Sequence, residues 1–254
     1  MNGALFFPVV MMAAFGGYYF WTMSKRQKAL ANAGPALRDF FQRTGYRYAD
    51  MPPEPFEAHM QRATHEMHAG NNGTTHYVRI FHGIPIHFQQ AYQHTGSGYS
   101  MSCSWSAELP RPPAIPFHVA DRSLSSVGKA VYEAFSNMTR QWSPKHPQEA
   151  ATGIPEVDQR FRVMGREANA VRALFQRDPA LVAAILQQVE VDLWVDERRI
   201  VFADPMQKNM NAEMGGTVGS MAIGFDMTKR LALSMAVHER IAELLALSVR
   251  AALQ

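Results

Sequence analysis

Residues Ala4 to Met23 form an almost unbroken run of apolar and aromatic side chains with no charge, and Lys25, Arg26 and Lys28 follow at once. About 20 apolar residues, each rising ~1.5 Å along a helix, reach across the ~30 Å hydrocarbon layer of a bilayer. A cleavable signal peptide carries its positive charge ahead of the apolar run and ends in a small-x-small site. Here the charge comes after the run, which predicts a retained anchor. A buried core helix is the alternative for an apolar stretch. Against it, Tyr18, Tyr19 and Trp21 cluster just before the charges, where amphipathic rings favour the interface. The segment before the run has no Lys or Arg, whereas the flank behind it has three. The positive-inside tendency therefore places the large C-terminal part in the cytoplasm.

About 230 residues remain after the anchor, enough for one large core or two small ones. The net charge is +3 and the basic residues are spread along the chain. A nucleic-acid partner would call for a basic stripe with interleaved aromatics, so none is expected. The single Cys103 excludes an intrachain disulfide framework and suits a reducing compartment. Asn72-Gly73-Thr74 and Asn137-Met138-Thr139 match the glycosylation acceptor pattern, which matters only for an exported eukaryotic chain.

The remainder divides into residues 25–55, a juxtamembrane helix and linker; 56–226, an α+β domain; and 227–254, a C-terminal helix, with residues 1–24 as the transmembrane anchor. Pro35 opens the first of these helices, which carries Ala36, Leu37, Phe40 and Phe41 and stops at Gly45. Residues 56–69 are a weaker helical candidate, closed by the loop Gly70 to Gly73. The plainest strand alternates Tyr99, Met101, Cys103, Trp105, Ala107 and Leu109 with Ser100, Ser102, Ser104, Ser106 and Glu108. Period two with one apolar and one hydroxylated face predicts an antiparallel sheet wetted on one side. The runs Tyr77 to His82 and Ile84 to Tyr92 complete a three-stranded meander, with Thr95-Gly96-Ser97-Gly98 as the turn into the serine strand. Cys103, on the apolar face, is expected to be an inert packed thiol.

Two similar units follow: Phe117-His118-Val119 with Arg122, Ala130-Val131 and Phe135, then Phe161-Arg162-Val163 with Arg166, Ala170-Val171 and Phe175. Each reads as a short strand feeding a helix, which raises the idea of an internal duplication. Asp178-Pro179 caps and opens another helix through Leu181, Ile185 and Leu186. Val189, Val191, Leu193 and Val195 alternate with Glu190, Asp192 and Trp194, and Asp196 to Arg199 turns the chain into Ile200-Val201-Phe202. Residues 205–224, rich in Met, Asn and Gly, read as loop. From Met227 to Leu253 a helix sets Lys229, Glu239, Arg240, Glu243 and Arg250 against Leu231, Met235, Ile241, Leu245 and Val249. Its apolar arc must dock on the domain's own sheet or on a partner, and His238 in that arc is expected to be a hydrogen-bonded core residue.

The run Glu108-Leu109-Pro110-Arg111-Pro112-Pro113, the segment Thr152-Gly153-Ile154-Pro155-Glu156-Val157-Asp158-Gln159-Arg160-Phe161-Arg162-Val163, the helix with Val171-Arg172-Ala173-Leu174-Phe175 and the hairpin around Asp196 share one layout. It resembles a broad group of uncharacterised bacterial membrane-anchored proteins, in which a Leu-Pro segment precedes a Gly-x-Pro-x-Phe-Asp-x-x-Phe-x-Val segment. The likeness covers roughly residues 80–205. Val157 replaces the expected aromatic, and Phe175-Gln176 stands where Leu-Thr is usual. The resemblance implies a bacterial membrane-tethered domain, hence the inner membrane, and no catalytic residues.

Signatures of catalysis fail one by one. His59, His65, His68 and His76 lie close in sequence with Glu66 among them, but His65-Glu66-Met67-His68 is one residue short of the H-E-x-x-H spacing that puts two ligands and a base on one helical face. His82 and His87 fall in strands and His94 beside a turn. Gly128-Lys129 lacks the rest of a phosphate loop, and Phe225 stands where a lysine would follow Gly219 to Gly224. No serine sits in a G-x-S-x-G elbow, and a Glu108–His118 pairing across the proline loop is the remaining acid–base combination. The expectation is a non-enzymatic α+β protein with no catalytic, cofactor-binding or metal residue and no cofactor. It would be a scaffold or accessory subunit of a membrane assembly, contacting the bilayer through residues 4–23 and other membrane proteins or its own copies. An exported sensor or binding domain of opposite topology is the alternative, and a metal-dependent hydrolase using the 59–76 histidines ranks third.

Overall fold

The computed structural model describes residues 34–49, 58, 73–94, 99–122, 148–204, 207–212 and 227–254. The apolar run 4–23, its basic flank, the helical candidate over 56–69 with His59, His65 and His68, and the helix of the first repeat unit lie outside the described residues. Among the described residues no helix is long and apolar enough to cross a membrane.

The fold is α+β, as expected from sequence. Its strands are β1 (Arg47–Tyr48), β2 (Gly73–Phe81), β3 (Ile84–His94), β4 (Tyr99–Glu108), β5 (Phe117–Asp121), β6 (Gln148–Glu149), β7 (Phe161–Gly165), β8 (Asp192–Asp196) and β9 (Arg199–Asp204). They form one sheet in the order β1-β2-β3-β4-β9-β8-β5-β7-β6, and every neighbouring pair is antiparallel. The helices are α1 over residues 34–44, α2 (Pro155–Arg160), α3 (Ala168–Arg177), α4 (Pro179–Leu186), α5 (Lys208–Ala212) and α6 (Met227–Leu253).

The period-two reading of residues 99–109 fixes the register. Cys103, Trp105, Ala107 and Leu109 are buried, and Trp105 lies opposite Phe88 on one side and Phe202 on the other. The serine face departs from expectation. Ser102 and Ser104 are half-buried rather than exposed, and Ser106 is buried, because Arg199 from β9 lies over it and donates from Nη2 to its hydroxyl at 3.1 Å. The turn between β2 and β3 takes His82 and Gly83 with φ of 48° and 79°, the paired positive angles of a tight hairpin, so His82 is a turn residue and not part of the strand. The strands of the two repeat units, Phe117 to Val119 and Phe161 to Val163, lie side by side with Val119 opposite Val163.

Helices supply the other half of the core. α1 ends on Gly45 at φ 70°, whose N–H bonds Phe41 O at 2.9 Å, as a left-handed C-terminal glycine does. Leu37, Phe40 and Phe41 belong to the same hydrophobic cluster as the sheet. α4 opens as the Asp178-Pro179 dipeptide predicts, with Asp178 Oδ1 accepting from Leu181 N at 2.9 Å. α6 answers the docking question: it packs on β3, β4, β9 and α4 of its own domain. Ile241, Leu244 and Leu245 have no exposed surface.

The stretch 205–224 is not loop throughout. Lys208–Ala212 is helical, and Asp204 Oδ2 accepts from Asn209 N at 3.1 Å and Met210 N at 3.2 Å. The signal was present in the sequence, since Asp204-Pro205 repeats the dipeptide that opens α4.

Candidate functional site

The four segments singled out by the resemblance meet in space or brace what does. The proline segment after β4, the β7–α3 junction and the β8–β9 turn line an open cleft of about 1030 Å³. Its walls include Leu109, Pro110, Pro112, Pro113 and Pro116, with Arg166, Glu167 and Ala170 facing them and Asp196 to Arg199 closing one end. Proline has no N–H, and the residue before a proline is held extended. The segment can therefore run along the surface without a sheet partner. It is pinned where donors remain: Leu109 N to Arg198 O at 2.8 Å, Ala114 N to Ala252 O at 3.2 Å, and Arg111 Nη2 to Leu253 O at 2.6 Å. Gly165 lets the walls close up, because a Cβ there would collide with Val171 and stand 3.3 Å from Pro116 O. Arg166, Arg198, Glu108 and Glu167 are exposed in this cleft. Charged side chains of both signs thus lie in water along a stiff wall.

The Gly-x-Pro segment is tied to α3, where Gln176 Nε2 donates to Thr152 O at 3.1 Å. Asp158 Oδ1 accepts from Thr152 N and Thr152 Oγ1, each at 2.8 Å, and Oδ2 accepts from Gly153 N at 2.9 Å. Gly153 has φ 77°, and Pro155 starts α2. Partial burial works against the Asp158 charge, but these bonds from Thr152 and Gly153, with Arg122, hold its carboxyl below the usual carboxylate range. That depressed value contributes stability above the unfolded-chain pKa, which is lost only as pH falls through the folded one. Asp158→Ala should cost about 1–3 kcal/mol, the penalty for orphaned donors, read as a lower denaturant midpoint at pH 7. Arg160 completes the brace, donating to Leu186 O, Gln188 O and Val189 O at the end of α4.

Other polar side chains are buried in structural roles, several of which the sequence did not announce. Arg79, 3% exposed, donates to Glu239 Oε1 at 2.6 Å, Thr44 O at 3.3 Å and His238 O at 3.0 Å, bolting β2 to α1 and α6. His238 is a hydrogen-bonded core residue, as expected. Its Nδ1 faces Trp105 Nε1 at 3.0 Å and the Tyr46 hydroxyl at 3.2 Å, and its ring meets Phe40 and Phe88 edge-on. Since the indole N–H can only donate, Nδ1 is the acceptor and the neutral ring carries its proton on Nε2. Burial, with the charge of Arg79, lowers His238 to about 3. Asp204 is shifted the opposite way: burial, with Glu190 adding repulsion, raises it to about 6 against the backbone donors of α5. Lys208 Nζ meets Glu190 Oε1 at 2.7 Å, and Asn209 joins Val189 N to Glu190 O. Burial also pushes the Cys103 thiol up, with Asp204 adding to the shift, consistent with an inert core cysteine.

His118 does not meet Glu108. Its Nε2 bonds Asp192 Oδ1 at 2.9 Å and its ring stacks on Trp194 with centroids 3.5 Å apart. A histidine–carboxylate pair is two parts of a nucleophilic triad. On this face the buried hydroxyl of Ser106 stands in β4, beyond Val201 and Trp194. Three strand steps at ~4.8 Å put it roughly 14 Å away, so the pair does not activate it. Among the described residues no group of three or more His, Cys, Asp or Glu converges as a metal site. Of the histidines at 59–76, only His76 is among the described residues, and its ring faces that of His87.

No family model and no curated protein matches the sequence. Among solved structures the chain is similar to the mycobacterial trehalose monomycolate transport factor A, TtfA, with a TM-score of 0.39 and 9% identity over 80% of this chain and 94% of that one. A TM-score of that size does not equate the two folds, and that protein's role does not pass to this chain.

Proposed function

We propose that the protein is a non-catalytic accessory subunit of a bacterial membrane complex, tethered in the inner membrane by residues 4–23 with its α+β domain in the cytoplasm, and that the proline-walled cleft receives an extended segment of a partner protein. The observation that carries this reading is the cleft itself. A wall made stiff by prolines and pinned by three hydrogen bonds loses little conformational freedom when a partner binds. Its solvated Arg and Glu side chains offer direction and register to a polar chain. The interior carboxylates, guanidinium groups and imidazoles described above hold segments of the fold together.

The test is purification of the full chain from native membranes in mild detergent, with identification of co-purifying proteins. Arg166→Glu with Arg198→Glu should release the partner while leaving the melting temperature unchanged, since both side chains are exposed. Unchanged co-purification would overturn the cleft as the contact. Topology is read separately. A reporter fused after Gln254 should be active only in its cytoplasmic form, and digestion of the domain by protease added to intact spheroplasts would instead support an exported binding domain.

A further inference from the structure

We propose that His76 and His87 form a surface site for a divalent transition-metal ion that favours imidazole, with Cu²⁺ bound most tightly. The two residues stand on adjacent strands in the middle of the β2–β3 ladder, where His76 is opposite Gln89 and His87 opposite Val78. They are diagonal neighbours on one face, both half-buried. His76 Nε2 and His87 Nδ1 are 3.0 Å apart, with ring centroids at 5.2 Å. In the metal-free chain one of these nitrogens donates to the other, so a single shared proton lies between two imidazoles.

A metal ion can replace that proton. With metal–nitrogen bonds of ~2.05 Å, two nitrogens at this separation subtend about 94° at the metal, whereas a tetrahedral centre would want them about 3.3 Å apart. The existing spacing is close to that of two cis ligand nitrogens once the rings tilt to aim both lone pairs at one ion, and the Irving–Williams order puts Cu²⁺ first. The ligands are held by a continuous strand ladder, so binding has little backbone to order. Among the described residues two protein ligands converge, and positions left to water make a site exchangeable rather than closed and structural. The sequence grouped His76 with His59, His65 and His68, which lie outside the described residues; among the described residues its imidazole partner comes from the next strand.

The full chain, purified in mild detergent and stripped with chelator, is titrated with CuCl₂ and followed by electron paramagnetic resonance. The first equivalent should show superhyperfine coupling to two imidazole nitrogens. It should be lost in His76→Gln and in His87→Gln and kept in His82→Gln, whose side chain lies at the exposed turn. A wild-type chain with no such first equivalent, or one that persists undiminished in both glutamine variants, overturns the proposal. A second measurement needs no variant: with ascorbate and peroxide, bound copper oxidises its own ligands to 2-oxo-histidine, mapped by peptide mass. Oxidation at His76 and His87 is expected, and oxidation only at other histidines would overturn the site even if a variant failed to fold.

Discussion

Trp105→Ala should lower the free energy of unfolding by about 3–5 kcal/mol, the usual loss for a large aromatic deleted from a packed core. Few domains have more than ~5–15 kcal/mol in total, so the variant is expected near the edge of folding. The indole has no exposed surface, packs against Phe88 and Phe202, and holds His238 Nδ1. Trp105→Phe separates the contributions, because it keeps most of the ring contact but deletes the N–H. It should cost about 1–3 kcal/mol, the price of a buried polar atom left with one partner fewer. Chemical denaturation of both variants checks this. An alanine variant as stable as the parent would mean that the β4 register, and with it the whole sheet order, is wrong.

The second large effect is on pH dependence, and it comes from two buried groups shifted in opposite senses. His238, lowered to about 3, stays neutral in the native chain while an unfolded chain takes up its proton below about 6.5. Acidification therefore removes stability, at roughly 1.4 kcal/mol per pH unit, from about pH 6.5 down to the folded value. Asp204, raised to about 6, binds its proton in the native chain first, whereas the unfolded chain waits until about 3.9. Its contribution adds stability as pH falls through the same window. Between about pH 6 and 4 the two slopes nearly cancel. Asp204→Asn should unmask the histidine: relative to the parent, the variant should lose about 2 kcal/mol of stability on going from pH 6 to pH 4. Denaturation midpoints at intervals across that range give the difference curve, in which all other titrating groups drop out. Parallel curves for parent and variant would refute the opposition.

These two cases also show what could be read from sequence and what could not. The alternation around Trp105 and the apolar arc around His238 are local periodicities, and they correctly placed the strand face, the C-terminal helix and a hydrogen-bonded histidine within it. Neither pattern says what stands across the gap. Trp105 and His238 are 133 positions apart and Arg79 and Glu239 are 160 apart, so only the folded sheet brings them together. Glu190 and Asp192 fall on the polar half of an alternating run. Both are buried, because Lys208 and His118 reach them from elements that a period cannot connect. Ser106 was misread for the same reason, since its cover is Arg199 from a strand reached long after it. The cleft was partly legible: the resemblance picked out its proline wall and its hairpin end, but not that they line one cleft with Arg166, Glu167 and Ala170.

The bolt at Arg79 also governs the order of events during synthesis. The meander that carries this guanidinium is made early, yet Glu239 and the His238 carbonyl that receive it lie 160 and 159 residues further on. At roughly 5–20 residues per second a ribosome takes about ten to thirty seconds to cover that distance. For most of that interval β4 has no β9 beside it, and throughout it the aromatic face around Trp105 lacks the finished α6 that covers it. An uncovered strand edge next to an apolar face is the kind of surface on which nascent chains aggregate. Newly made protein should consequently depend on a holding chaperone until its last helix emerges, and chains truncated before Met227 should accumulate in aggregates although every strand is present.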